Sequence, residues 1–433
     1  SRAGGGGGNS RYSSGGGGGG PSAELENHLA SIDQSVIDAF SLENSIWAPR
    51  KKWADSKDFF DTETVGRAAF ANNWEAALAG GKLEKFIEKT SKGKSKAESV
   101  GEVIWKNSTL LRMIFDHFSC TIGTDKDIFS MSLNGYLEWI NVCQLPQKGG
   151  VCEHKHLQQL FVAINVPGQG KATSKLDTKH TLIRAEWFDG LIRVAAARYV
   201  QPGVTNDLAE ALTMLIDHMR PLVPSSCTQD LNNFKHESCY NFWVTTVLDR
   251  YGGSLRAIFD AYAASGDDGS AAGGSHATVM SFAEWLDMNR DFGLIDGDFT
   301  AREATLAFVW SRMRVINELK EATRKKVESL SFEDFLEAIV RTATMKEMPL
   351  DEEISAEGVD CPGLWLLKLR SEGRYETFSR THSREWNDPP RQNLEKCVDK
   401  LVRMMLRIVE DSSQGADDLN VTHHEAKQFV LRH

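Results

Sequence analysis

The sequence predicts an all-α fold, on three observations. Apolar residues recur at helical spacing, most clearly Phe332, Phe335, Leu336, Ile339, Val340 and Ala343, which fall at i, i+3, i+4, i+7, i+8 and i+11. A helix-start signature precedes one such run: "TARE" (300–303) has the form of a capping box, with Thr300 at the N-cap and Glu303 three residues on. Finally, a helical phrase is used twice, as "LRMIFDHF" at 111–118 and "LRAIFDAY" at 255–262.

That phrase opens a longer correspondence. "EVIWKNSTLLR" stands opposite "TTVLDRYGGSLR", "MSLNGYLEW" (from Met131) opposite "MSFAEWLDM" (from Met280), "LQQLFVAIN" opposite "ATLAFVWSR", and "LIRAEWFDGLIRVA" (from Leu182) opposite "LSFEDFLEAIVRTA" (from Leu330). Four blocks in one order mark a duplication rather than chance. The chain therefore divides into a disordered Gly-rich tail (1–22), a helical N-terminal lead-in (23–99), a first unit (100–196), a helical linker (197–241), a second unit (242–345) and a C-terminal linker with a helical tail (346–433).

Bulk properties bound the function. The 433 residues are 41% hydrophobic and 25% charged, an ordinary globular balance. A formal charge of −10 argues against a broad nucleic-acid surface, which needs clustered Lys and Arg. No apolar run approaches the roughly 18–20 residues of a membrane span. Seven scattered cysteines, an odd number without a framework, point to reduced thiols. The chain opens on Ser1, as a fragment of a longer protein would.

Each unit reads helix–loop–helix twice, with an apolar residue and usually Ser (Met131-Ser132, Leu182-Ile183, Met280-Ser281, Leu330-Ser331) entering each exit helix. This pattern resembles the EF-hand superfamily, whose hands come in pairs. The resemblance covers about half the chain. It implies short antiparallel β bridges at position 8 of each twelve-residue loop, Met131 with Leu182 and Met280 with Leu330. The segment "SIWAPRKKWADSKDFFDTETV" (45–65) also resembles stretches preceding such hands in long proteins of flagellated protists.

Calcium requires six to eight oxygens, supplied in an EF-hand mainly from positions 1, 3, 5, 7 and 12. The loops run 124–135, 175–186, 273–284 and 323–334, and none has an acid at position 1. Lys126, Ile128, Ala277, Lys325 and Val327 occupy ligand positions, and His180 stands where glycine belongs. Asp177, Glu186, Glu284 and Asp334 are what remains of a ligand set. The expectation is therefore hands without calcium and no cofactor; the alternative is a calcium-binding sensor with irregular loops that uses those four carboxylates.

Other candidates are weaker. "CQLPQKGGVCEHKH" (143–156) offers two Cys and two His at a spacing unlike structural zinc. Cys227 with "KHESC" (235–239) is weaker still. "NLEKCVDKLVRMMLRIVE" (393–410) is an amphipathic helix suited to packing on its own domain or to filling another hand's groove. "PRKKW" (49–53) is a short basic patch. No nucleophile elbow or P-loop is present, so the chain reads as non-catalytic. The reading is a protein-binding scaffold, cytoplasmic or cytoskeletal, for helical segments or cytoskeletal proteins such as those of a cilium. Trp139, Trp187, Trp285 and Trp310 are its candidate partner-binding anchors.

Overall fold

The computed structural model describes residues 23–120, 128–165, 181–263, 279–359, 361–413 and 419–433. Among them the chain is mostly α-helical, with two small two-stranded sheets. No helix is long and apolar enough to cross a membrane.

The first unit runs through helices Ala97–Lys106, Ser108–Ser119, Leu133–Val142, His154–Ile164 and Arg184–Ala195. The second runs through Phe242–Arg250, Gly252–Ala263, Phe282–Asp291, Ala301–Ser311 and Phe332–Met345, with an additional helix Glu321–Glu328 before the last. Strand Ser130–Ser132 pairs antiparallel with Thr181–Ile183, placing Met131 opposite Leu182. Strand Met280–Ser281 pairs with Ser329–Leu330, placing Met280 opposite Leu330. All four of these apolar residues are fully buried.

The two-residue phrase at each helix entrance has a local cause. The apolar residue is the strand residue, and the serine after it is the N-cap of the exit helix. Ser132, Ser281 and Ser331 accept from the backbone N–H three residues on, at Gly135, Glu284 and Asp334. Such a cap satisfies one of the four N–H groups that a helix start leaves open, worth about 1 kcal/mol.

Each unit is closed by a helix that follows it. Helix Leu208–Met219 lies across the first and last helices of the first unit, 97–106 and 184–195. Helix Leu394–Ser413 lies in the same way across 242–250 and 332–345. Leu208, Leu212, Leu215, Ile216 and Met219 are buried in one; Val398, Leu401, Val402, Met405 and Val409 in the other. Burial of each such side chain contributes roughly 1.5–3 kcal/mol. The stretch read as a linker is thus partly the closing helix of the first unit. The 393–410 stripe packs at home, and helix His423–Arg432, opened by a Thr422/Glu425 capping box, covers 252–263 beside it.

The lead-in is threaded into both units. Its helix Glu63–Leu78 packs on 184–195, with Phe70 and Phe188 rings 6.1 Å apart. Trp47 is fully buried and donates its indole N–H to Thr245 Oγ1 of the second unit at 3.0 Å.

Candidate functional site

The carboxylates at loop position 12 serve the helices they open. Glu186 accepts from Ile183 N at 3.1 Å, Glu284 from Ser281 N at 2.6 Å and Asp334 from Ser331 N at 3.0 Å. All three are buried. Asp177 lies outside the described residues. Among the described residues no cluster of three or more His, Cys, Asp or Glu could hold a metal ion.

Asp334 has a second partner. Arg50, from the basic "PRKKW" stretch, leaves the surface and is 1% exposed. Its Nη2 lies 3.1 Å from Asp334 Oδ1 and its Nη1 2.7 Å from Glu337 Oε2, and it also donates to the Ser311 carbonyl. Glu337 is shared further with Arg341 (2.6 Å) and Lys235 (3.9 Å). Burial pushes the Glu337 carboxyl up, yet Arg50, Lys235 and Arg341 outweigh it and hold the group below its usual value. For Asp334 burial wins over Arg50, and the carboxyl sits above its usual value. Charges this deep persist only because they are paired.

The four tryptophans read as partner anchors are core residues. Trp139, Trp187, Trp285 and Trp310 are each 0% exposed. Trp139 and Trp187 meet edge to face at 5.8 Å, Trp285 donates to the Ala304 carbonyl at 2.8 Å, and Trp310 packs on Trp386 at 4.8 Å. The physical reason is that these indoles pack inward, on aromatic and backbone partners of their own unit and, for Trp310, on Trp386. Trp53 and Trp243 are the exposed indoles, 54% and 37%. All seven cysteines are free and buried. Cys143 and Cys152 lie in the core while His154 and His156 face solvent, so the zinc set is split; Cys227 and Cys239 are likewise separated from exposed His236.

The most unusual chemistry lies where lead-in and both units meet. Arg112 and Asp116 project one turn apart from helix 108–119, and Arg184 begins helix 184–195. Arg312, Arg314 and Glu318 come from the extended stretch after helix 301–311, and Asp61 precedes helix 63–78. Arg184 bridges Asp116 (3.1 Å) and Glu318 (3.5 Å); Arg112 lies 3.6 Å from Asp116 and 3.7 Å from Asp61. Asp61 accepts from the Arg314 backbone N–H at 2.8 Å. Four guanidiniums thus face three carboxylates.

Arg312 and Arg314 have no ion-pair partner among the described residues. Arg312 donates Nε–H to the Val309 carbonyl and lies over the Phe129 and Phe308 rings. Burial pushes both down to about 10, with the Arg112 charge adding to the effect. Two small cavities, about 40 and 20 Å³, lie among these side chains, and both are bordered by Arg112, Arg184, Arg314 and Glu318. An outer cleft of about 410 Å³, walled by Thr62, Trp105, Lys106, Ser108 and Asn232, shares Arg112 and Arg314 with them. Gly66 makes room: a Cβ there would stand 2.6 Å from Arg314 Nη1.

Sequence reasoning missed this cleft and Arg50 alike. The one local signal is "RMR" (312–314), where an extended backbone sends alternate side chains to the same side. No family model matches the chain, and neither the curated proteins nor the solved structures contain a match.

Proposed function

We propose that the chain is a non-catalytic, protein-binding scaffold built on two EF-hand-like pairs whose geometry does not depend on calcium. The observation that carries this reading is the use made of the position-12 carboxylates. Glu186, Glu284 and Asp334 cap their own helices, and Asp334 is also neutralised by a guanidinium from the same chain. Arg50 supplies between 334 and 337 the positive charge that a divalent ion supplies in a calcium-loaded hand.

Two further features support a scaffold over a sensor. The first and last helices of each unit are covered by a closing helix, so each unit carries its own cover instead of a groove that opens on demand. The buried ion pairs join the lead-in to residues far along the chain, which suits a rigid support. The partner class is a helical segment or a cytoskeletal protein, met on the outer surface and not on the four tryptophans.

Calorimetric titration of the whole chain with Ca²⁺, paired with thermal unfolding in excess chelator, tests the reading. The expected result is no saturable heat at micromolar Ca²⁺ and no change in Tm. A micromolar transition that disappears in E284Q would replace the scaffold with a calcium sensor.

A further inference from the structure

We propose that the cleft bounded by Arg112, Arg184, Arg312 and Arg314 binds the phosphate group of a small phosphorylated molecule. The inference goes beyond the scaffold reading and stands whether or not the hands take up calcium.

The first argument is charge. Asp61, Asp116 and Glu318 are spent on Arg112, Arg184 and the Arg314 backbone, which leaves the Arg312 and Arg314 guanidiniums without a carboxylate within ion-pair distance among the described residues. A buried or half-buried cation with no carboxylate in direct contact is costly, and the buried Arg312 beside the half-buried Arg314 gains most from an anion between them. The second argument is donors. Arg184 Nη1 and Arg312 Nη1 are buried, border the 20 Å³ cavity and have no hydrogen-bond partner. Unmet N–H groups at such a depth call for an acceptor.

Why a phosphate? The four guanidiniums come from three places in the fold, helix 108–119, the start of helix 184–195 and the stretch after helix 301–311, and all four border the 20 Å³ cavity, so they converge on one target. A tetrahedral dianion accepts charge-assisted bonds on every side, and the guanidinium fork fits its edges. Size sets the rest. The inner cavities of about 40 and 20 Å³ admit an oxyanion and little more, whereas the outer cleft of about 410 Å³ has room for a small organic group. Thr62, Ser108, Thr109 and Asn232 line that cleft and suit hydroxyls. A polyanion is disfavoured by the chain's charge of −10 and by Asp230 and Glu63 at the mouth.

The test uses the full chain, ³¹P NMR and calorimetry, with inorganic phosphate and glycerol phosphate as probes and sodium chloride at matched ionic strength as control. Saturable binding of both probes is expected, the ester more tightly. R314Q should weaken it at least tenfold, while R67Q, at an exposed pair with Glu102, leaves it unchanged. Because a cleft variant can fail to fold, E318Q provides the opposite sign: removing the carboxylate that competes for Arg184 should tighten phosphate binding severalfold. The proposal falls if neither probe binds by about 10 mM, if R314Q binds as the parent does, if E318Q weakens the probes, or if only inorganic phosphate enters.

Discussion

The phrase that occurs twice has two fates. In the first unit Arg112 and Asp116 form an i,i+4 pair with side chains 15% and 5% exposed, drawn into the arginine cleft. In the second, Arg256 and Asp260 make the same pair at 3.0 Å but are 43% and 25% exposed. The apolar letters behave alike: Leu111, Ile114 and Phe115 are buried, and so are Leu255, Ile258 and Phe259. The two phrases share one packing code, while their neighbours decide what the charged letters do. A pair worth a few tenths of a kcal/mol on an open helix becomes part of a junction when another segment covers it.

The units also differ in how they are fastened to the lead-in. The first is held through side-chain packing of helix 63–78 on 184–195, the second through Arg50 and its buried carboxylates. The largest expected effect separates these two modes. R50M leaves Asp334 without its cation and Glu337 with only Arg341 and Lys235, and should cost about 3–5 kcal/mol in urea unfolding, against about 0–1 kcal/mol for R290A at the exposed Asp287 pair. Equal costs would erase the distinction.

Next comes acid sensitivity, which belongs to the first unit. His117 is buried, with Nδ1 2.7 Å from Ser226 Oγ and Nε2 3.3 Å from Arg302 Nη1, and burial followed by the Arg302 charge pushes its pKa down to about 3. The unfolded chain then binds a proton near pH 6.5 that the folded chain refuses. Stability present above pH 6.5 is lost as pH falls, and the loss levels off near pH 3. Between pH 6.5 and 5 it amounts to about 2 kcal/mol. Tm measured against pH should show this slope, and H117Q should flatten it. The second unit's corresponding position is Ala261, which has no titratable group.

The smallest effect sharpens the comparison of helix entrances. S281A and S331A should each cost about 1 kcal/mol through the lost cap. The first unit's second entrance has Ile183 in that place, with no hydroxyl to lose, so I183A should leave the cap bond from Ile183 N to Glu186 intact. Amide exchange at Val-free helix starts near 184–187 and 332–335 reads the difference directly.

Much of the architecture was legible in the sequence. The 332–343 stripe, the Thr300/Glu303 box and the pairing of Met131 with Leu182 and Met280 with Leu330 all recur in the structure. These are local or periodic signals, and local signals survive folding. Trp139, Trp187, Trp285 and Trp310 were harder, because helical spacing says that a side chain faces a neighbour without saying whether a further helix lies beyond. The closing helices escaped as a matched pair because 12 residues separate the first from its unit's end at Ala195 to Leu208, whereas the second begins only at Leu394. The arginine cleft left almost no trace, since its members come from four segments that only the fold brings together.

Arg50 carries a consequence for the order in which the molecule is finished. Its hydrogen bond to Ser311 spans 261 positions along the chain. At a ribosomal pace of roughly 5–20 residues per second, the guanidinium waits about 13–50 s after synthesis before its acceptor exists. A segment made early is therefore among the last to settle, and a nascent chain interrupted before that point leaves Arg50 without its Ser311 acceptor and without Asp334 and Glu337.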